Sequence, residues 1–304
     1  MSRVRLQRNE AIVLKRRDYG EADRILTMYT RERGKVGAIA KGVRRITSRL
    51  GGHVELFTHA SLLLAKGRNL DILTQAQTLD HFRGLRDDLL RTTYAYHVAE
   101  LVDRFCEEGI ASEPIFELLR DSLDALCDAE DPALVVRFFE LRLLGHLGYR
   151  PQFFQCVRCN DPLEPLGNHF DPDSGGVLCP RCATSADGAL PLHEGAFRVL
   201  RFLQTRTLAT ARQVALQRDT RHELERLMHA YIRYILERDL RSVEFLERLR
   251  RVGDPGIAPQ APLHPRARAA PVATSNQAAA PPSSTVNGSP SAPPASDSPG
   301  ETQP

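Results

Sequence analysis

Between Arg5 and about Phe82 the apolar positions change sense over short runs, each broken by glycine or by polar residues. Alternation is clearest at Leu62 and Leu64 and again at Leu70, Ile72, Thr74 and Ala76, where every second side chain would face one side of a sheet. The pattern predicts strands over 7–16, 22–30, 34–41, 54–65 and 69–79. Asp18-Tyr19-Gly20, Arg33-Gly34, Gly51-Gly52 and Lys66-Gly67 supply the turns. Five short strands with no helix-period pattern between them suit a small antiparallel barrel that closes its own edges.

After Phe82 the period changes to 3.6, beginning with Leu85, Leu89, Tyr96, Leu101, Val102 and Phe105 and ending at Gly109. Ser112 is an expected N-cap ahead of Glu113-Pro114, and Asp131-Pro132 pairs an N-cap with proline at the first helical position. The helix expected over 133–147 is apolar around much of its circumference and stops at Gly148, so it should form the core of the second domain. Beyond a cysteine-rich insertion at 151–187, helical patterns resume over 193–203, 209–216 and 221–251. No internal repeat is present. The expected architecture is therefore α+β: a five-stranded barrel over 1–82, then a helical domain over 83–252 that carries the insertion.

Composition alters this picture at the C-terminal end. Residues 253–304 hold 12 of the chain's 20 prolines among Ala, Ser, Gln, Asn and Thr, with few large apolar side chains. Such a segment cannot bury a core and is expected to be disordered. No apolar run approaches the roughly 20 residues of a membrane span, and the opening MSRVRLQRNE lacks the apolar centre of a signal peptide. The expectation is a cytoplasmic protein with no membrane partner.

The formal net charge of +3 conceals an uneven distribution. Residues 1–82 carry 16 Lys and Arg against 8 Asp and Glu, whereas the remainder carries 25 against 30. All four lysines, Lys15, Lys35, Lys41 and Lys66, fall in the first segment. Lys35 and Lys41 are an even number of positions apart, so both can project from one sheet face, with the small residues Gly37, Ala38 and Ala40 between them. The loop that follows adds Arg44, Arg45 and Arg49, and Lys15-Arg16-Arg17 with Arg24 form a second basic group. This is a phosphate-tracking surface with little base-reading chemistry. Aromatic platforms in the segment are limited to Tyr19, Tyr29, Phe57 and Phe82; Tyr29 and Phe57 are expected in the core, which ranks base stacking below phosphate contact.

Four of the six cysteines form C-x2-C-x19-C-x2-C: Cys156, Cys159, Cys179 and Cys182. Two such turns can aim four thiolates at one point about 2.3 Å away, completing a tetrahedron with no open position, as in a structural zinc site. Asp171 to Gly176 offers the hairpin turn of a zinc ribbon, while Arg158 and Arg181 lie inside the knuckles, where they would offset negative charge. Reduced structural cysteines or a redox pair are the other readings of this pattern. Cys106 and Cys127 stand apart on helical faces and read as small core residues.

His53-Val54-Glu55 spells the H-x-E half of a zinc-dependent deaminase signature. The second half requires Pro-Cys-x-x-Cys, but Gln155 and Leu178 precede the two pairs, so His53 is read as a strand-edge or loop residue. The sequence contains no phosphate-binding G-x-x-x-x-G-K-[ST], no G-x-S-x-G, no H-E-x-x-H and no carboxylate cluster suited to two-metal chemistry. No enzymatic activity is expected.

Three blocks in the basic segment resemble the N-terminal signature of the bacterial DNA repair family RecO. They are Asp18-Tyr19-Gly20-Glu21-Ala22-Asp23-Arg24-Ile25, then Gly34-Lys35-Val36 with Ala40-Lys41-Gly42-Val43-Arg44-Arg45, then Ser48-Arg49-Leu50-Gly51-Gly52. The similarity continues through Leu85-Arg86-Asp87-Asp88-Leu89, both cysteine knuckles and the closing run from Asp239 to Leu246, covering roughly 5–250.

The resemblance implies an oligonucleotide-binding (OB) barrel, a helical domain with an inserted zinc ribbon, and a role as a recombination mediator in the RecFOR pathway. It further implies binding of single- and double-stranded DNA, ATP-independent annealing, and loading of RecA, with RecR, onto strands coated by the single-strand-binding protein SSB, whose C-terminal tail docks on the helical domain. By this resemblance the family's basic OB-face positions correspond here to Lys35, Lys41, Arg44, Arg45 and Arg49, and also to Arg24. Zinc would then support the fold, and the protein would associate with the nucleoid. An RNA-binding or transcription accessory protein with the same two modules is the alternative.

Overall fold

The computed structural model describes residues 6–237 and, beyond them, residues 243, 245, 246, 248 and 249. Five strands, β1 (Leu6–Tyr19), β2 (Asp23–Thr30), β3 (Gly34–Ala40), β4 (His59–Ala65) and β5 (Asp71–Asp80), close into a barrel in the order β1-β2-β3-β5-β4. The expectation of an antiparallel barrel needs one correction, because β3 and β5 pair in parallel through Ala38 with Asp71 and Ile39 with Ile72. Parity requires such a pair: an odd number of strands closed in a ring cannot alternate direction all the way round.

A second correction concerns 54–58, which was expected within the fourth strand. A 3-10 turn at Gly51–His53 precedes it, Val54 is buried in the barrel end, and Phe57 adopts φ 62°, which ends any extended run there. The strand proper starts at His59.

The barrel interior is lined by Ala11, Val13, Leu26, Met28, Val36, Ala38, Ala60, Leu62, Leu64 and Leu73. Small side chains such as Ala11, Ala38 and Ala60 suit the narrow bore of a five-stranded barrel. The alternate residues Ile12 and Leu14, together with Tyr29, Phe57 and Phe82, join the core of the helical layer instead. β1 is thus buried on both faces over 11–14, which is why Ala-Ile-Val-Leu reads there as an unbroken apolar run.

A 3-10 turn at Arg83–Leu85 leads into the helices α1 (Leu89–Phe105), α2 (Glu113–Asp128) and α3 (Pro132–His146). Asp88 and Asp131 cap α1 and α3 by accepting from the N–H groups of Arg91 and Leu134. Ser112 occupies the N-cap position of α2, but its side chain makes no capping bond. α3 is buried on nearly every side, as its pattern predicts, and even its charged members Arg137 and Glu140 are enclosed. Glu140 Oε1 lies 2.9 Å from Arg137 and 2.7 Å from His97 Nε2 on α1, so the charges are paired inside the core.

The insertion folds as a small antiparallel sheet of β6 (Asn168–Asp171), β7 (Gly176–Leu178) and β8 (Leu190–Leu192), in the order β7-β6-β8, with the single-turn helix α4 (Pro180–Ala183) after β7. α5 (Glu194–Thr205), the short α6 (Leu208–Ala211) and α7 (Arg218–Leu236) follow. Of the helix expected over 209–216, only a single turn forms. The expected 221–251 helix begins earlier, at Arg218, and Glu237 leaves helical geometry at φ 52°. Much of that helix's distal part lies outside the described residues, as does the whole of the 253–304 tail.

The barrel is tied to the helices at one end of its outer face. Gly34, at φ 64°, lies so close to the helical layer that a Cβ would stand 1.8 Å from the Ile110 carbonyl oxygen, and Gly109 N–H donates to Lys35 O at 3.0 Å. Arg31 reaches Glu10 at 2.8 Å, Glu113 at 2.8 Å and also Glu117, and its guanidinium lies 4.6 Å from the Phe116 ring centroid.

Candidate nucleic-acid interface and cysteine cluster

The opposite end of the barrel is formed by the β1–β2 turn and the connection from β3 to β4. Gly42, at φ 62°, turns the chain out of β3, and its N–H donates to Asp23 Oδ1 at 2.7 Å. Arg44 N–H then donates to Ala22 O at 2.9 Å, and the Arg44 guanidinium reaches Asp18 Oδ2 at 3.4 Å and Gly20 O at 3.4 Å. The base of the 41–50 segment is therefore sewn to the β1–β2 turn.

Two carboxylates organise the arginines here. Asp18 lies 3.0 Å from Arg24, and Glu55 bonds both Arg24, at 3.1 Å, and Arg16. The hydrogen bond from Arg24, followed by weaker attraction to Arg44 and Arg16, holds the Asp18 carboxyl below its usual range although solvation changes oppose it. Arg17, Lys41, Arg45 and Arg49 are exposed and take part in no ion pair among the described residues.

The predicted positions therefore divide. Lys41, Arg44, Arg45 and Arg49 come together on one loop, with Arg24 behind them in the ion lattice. Lys35 does face outward like Lys41, as their even spacing requires, but it sits at the other end of the strand. There Lys35 Nζ donates to the Asp103 carbonyl at 2.5 Å and lies 3.7 Å from the Asp103 carboxylate, with only 14% of its side chain exposed. The structure separates Lys35 from the cationic loop and makes it a tie between barrel and helix α1. Arg17, which the sequence groups with Lys15 and Arg16 but which is not among the positions the family resemblance supplies, is exposed beside the β1–β2 turn.

His53 Nδ1 lies 2.8 Å from Thr78 Oγ1, so it serves the barrel wall, in keeping with a strand-edge or loop role. Tyr29, Phe57 and Phe82 are buried, leaving Tyr19 as the exposed aromatic among the described barrel residues, at 53% of its full surface.

The cysteine cluster is assembled by local turns. The Sγ atoms of Cys156, Cys159, Cys179 and Cys182 all lie within 4.8 Å of one another, and Cys159 and Cys179 are 3.8 Å apart. Four sulfurs at about 2.3 Å from a central tetrahedral zinc would be spaced by about 3.8 Å. Burial opposes ionisation of Cys156, but the N–H groups of Cys159, Cys179 and Arg158 outweigh it and bring that thiol down to about 6. At Cys159 the N–H of Asp161 acts in the same sense, yet desolvation and the three neighbouring thiols push it up to about 12. A divalent cation relieves that mutual repulsion, so the donor set fits a closed, four-sulfur metal site.

Arg158 donates to Cys182 O at 2.8 Å across the two knuckles, and Arg181 pairs with Asp161. Tyr231 of α7 packs edge-on against Phe170, their centroids 5.5 Å apart, which seats the ribbon on the helical layer.

Comparison with known proteins agrees with this architecture. The family model for the N-terminal part of recombination protein O matches residues 1–82, and that for its C-terminal part matches residues 86–244. A DNA repair protein RecO from Roseiflexus sp. (strain RS-1) is 46% identical over 250 residues, covering 82% of this chain and 88% of the relative. The chain belongs to the RecO family.

Two further RecO proteins are less similar. That of Symbiobacterium thermophilum is 39% identical over 244 residues, covering 79% of this chain and 96% of the relative. That of Bacillus subtilis (strain 168) is 33% identical over 244 residues, covering 80% and 95%. Within the RecO frame, the cationic loop belongs to the barrel module and the cysteine cluster to the C-terminal module. No helix among the described residues is long and apolar enough to cross a membrane.

Proposed function

We propose that this RecO-family chain binds single- and double-stranded DNA through the loop end of its barrel and anneals complementary strands without ATP. The observation that carries the reading is the set of exposed cations Arg17, Lys41, Arg45 and Arg49, without ion pairs among the described residues, gathered on one end of a closed barrel. Annealing needs no nucleophile. It needs a cationic surface that offsets repulsion between strands while leaving base edges open to pair, and such a surface acts by releasing counterions from phosphates. Arg44 and Arg24, anchored by Asp18 and Glu55, would hold the loop in position and add to its field.

On this reading the protein works in the cytoplasm at the nucleoid as a recombination mediator and not as an enzyme. Family resemblance supports RecR, the SSB C-terminal tail and, indirectly, RecA as partners. Simultaneous contacts to the SSB tail and to DNA would add through effective concentration, which supplies the free energy for displacing SSB without a nucleotide. Zinc held by Cys156, Cys159, Cys179 and Cys182 would stabilise the ribbon with no open position for a substrate.

The test is annealing of complementary strands coated with SSB, with ATP withheld. The chain should anneal them, and a Lys41→Ala, Arg45→Ala, Arg49→Ala variant should lose most of that activity. Unchanged annealing by a folded triple variant would remove the loop from the reading. Stronger binding to RNA than to DNA of the same sequence would favour the RNA-binding alternative.

A further inference from the structure

We infer that Tyr19 is a base-stacking platform that makes the cationic loop grip unpaired strands more tightly than duplex, so that annealing itself loosens the product. The inference rests on the DNA-binding reading above. Tyr19 ends β1 and pairs with Asp23 across the turn. The same Asp23 accepts from Gly42 N–H at 2.7 Å, while Arg44 bonds Gly20 and Ala22 on either side. The backbone that carries the ring is thereby held beside the base of the loop with Lys41, Arg45 and Arg49.

The remaining aromatic residues of the barrel are committed elsewhere. Tyr29 is buried against Cys106, Phe57 packs edge-on to Tyr96 with centroids 5.0 Å apart, and Phe82 stacks near His59 at 6.4 Å. Tyr19 has no such ring partner among the described residues, and its hydroxyl makes no hydrogen bond there. A half-exposed ring on this hydrogen-bonded turn presents an uncovered face, and every base offers a face to stack on it.

The chemistry separates strands from duplex. Phosphate contacts are available in both forms, so the loop cations alone discriminate weakly. A base face is available only while the base is unpaired. Once two strands pair on the loop, the stacking contact is lost while the phosphate contacts stay, and the annealed product is held less tightly than its precursors.

The experiment compares wild type, Tyr19→Ala and Tyr19→Phe in equilibrium binding to three labelled ligands: a single strand of mixed sequence, its duplex, and an abasic single strand of equal length. Stacking of one base predicts that Tyr19→Ala weakens single-strand binding by about 5- to 140-fold. It should leave duplex binding, abasic-strand binding and the salt slope as in wild type, and Tyr19→Phe should bind like wild type. Equal losses on all three ligands, or no loss on the single strand, would overturn the inference. Failure of the DNA-binding reading itself has a different signature: Lys41→Ala, Arg45→Ala, Arg49→Ala would leave affinity and salt slope intact while Tyr19 variants bound normally.

Discussion

Lys35, on β3, and Lys41, just past its end, project on the same side, yet the structure gives them different tasks, and salt dependence separates those tasks. A cation that meets a phosphate contributes about 0.7 to the slope of log affinity against log salt on single strands and about 0.9 on duplex. Lys41, Arg45 and Arg49 are exposed and form no ion pair among the described residues, so removing all three should flatten the single-strand slope by about 2.1. Between about 50 and about 200 mM salt, the wild type should then lose roughly 18-fold more affinity than the triple variant.

Lys35→Met should leave the slope at its wild-type value. That substitution keeps the apolar stem but deletes the ammonium that donates to the Asp103 carbonyl at 2.5 Å. Loss of a charged, largely covered hydrogen bond costs about 1–2 kcal/mol, or a few degrees in Tm for a chain of this size. Anisotropy of a labelled oligonucleotide over a salt series, alongside thermal unfolding, measures both quantities. A slope reduced by about 0.7 in Lys35→Met at unchanged Tm would refute the assignment.

Three further outcomes follow from the structure. Elemental analysis should find one zinc per chain, and a chelator or Cys179→Ser should lower the Tm while single-strand affinity stays within about twofold, because the ribbon supports the helical layer and not the loop. Arg31→Met should destabilise the chain by about 1–3 kcal/mol at neutral pH through its half-exposed carboxylate partners and the Phe116 face. Glu10 is held below its ordinary value of 4.5, first by the Arg31 hydrogen bond, against desolvation and with help from His59. That stabilisation is present above about pH 4.5 and lost as pH falls through the lowered value, so urea unfolding at pH 7 and under strong acid should show the Arg31→Met deficit shrinking. Gly34→Ala should cost at least about 2 kcal/mol, since its Cβ would meet the Ile110 carbonyl. Gly20→Ala, at similar φ with nothing within 4 Å, should cost only about 1 kcal/mol.

Features encoded over a few residues were legible in the sequence. The C-x2-C turns aim their own sulfurs, the Asp131-Pro132 start caps α3 locally, and the alternation at Leu62 and Leu64 reports the barrel interior directly. Features that depend on what packs against an element were not. Parity placed Lys35 and Lys41 on one face, but nothing in 35–41 says that α1 covers one end of it. The parallel β3–β5 pair is a property of closing five strands, and the break at 54–58 is set by Phe57 turning into the helical core. The helix expected over 209–216 shrank to one turn because Leu208–Ala211 alone keeps helical bonding before the chain turns towards α7.

The same distinction explains how a chain of net charge +3 can present a strong field to a phosphate backbone. At the loop end of the barrel, Asp18 and Glu55 subtract from the formal charge but are paired with Arg16, Arg24 and Arg44 at the base of the loop. They neutralise the anchors and leave Arg17, Lys41, Arg45 and Arg49 exposed. A phosphate at close range therefore finds those four cations uncompensated by a contacting carboxylate, while the fields of Asp18 and Glu55 are spent mainly on their own arginine partners. Net charge counts both sets alike, whereas counterion release depends only on the cations that a phosphate can reach. The carboxylates are on this argument part of the interface: Glu55→Gln would raise the formal charge by one, yet by freeing Arg16 and leaving Arg24 to Asp18 alone it would loosen the base of the loop and widen the spread of its cations.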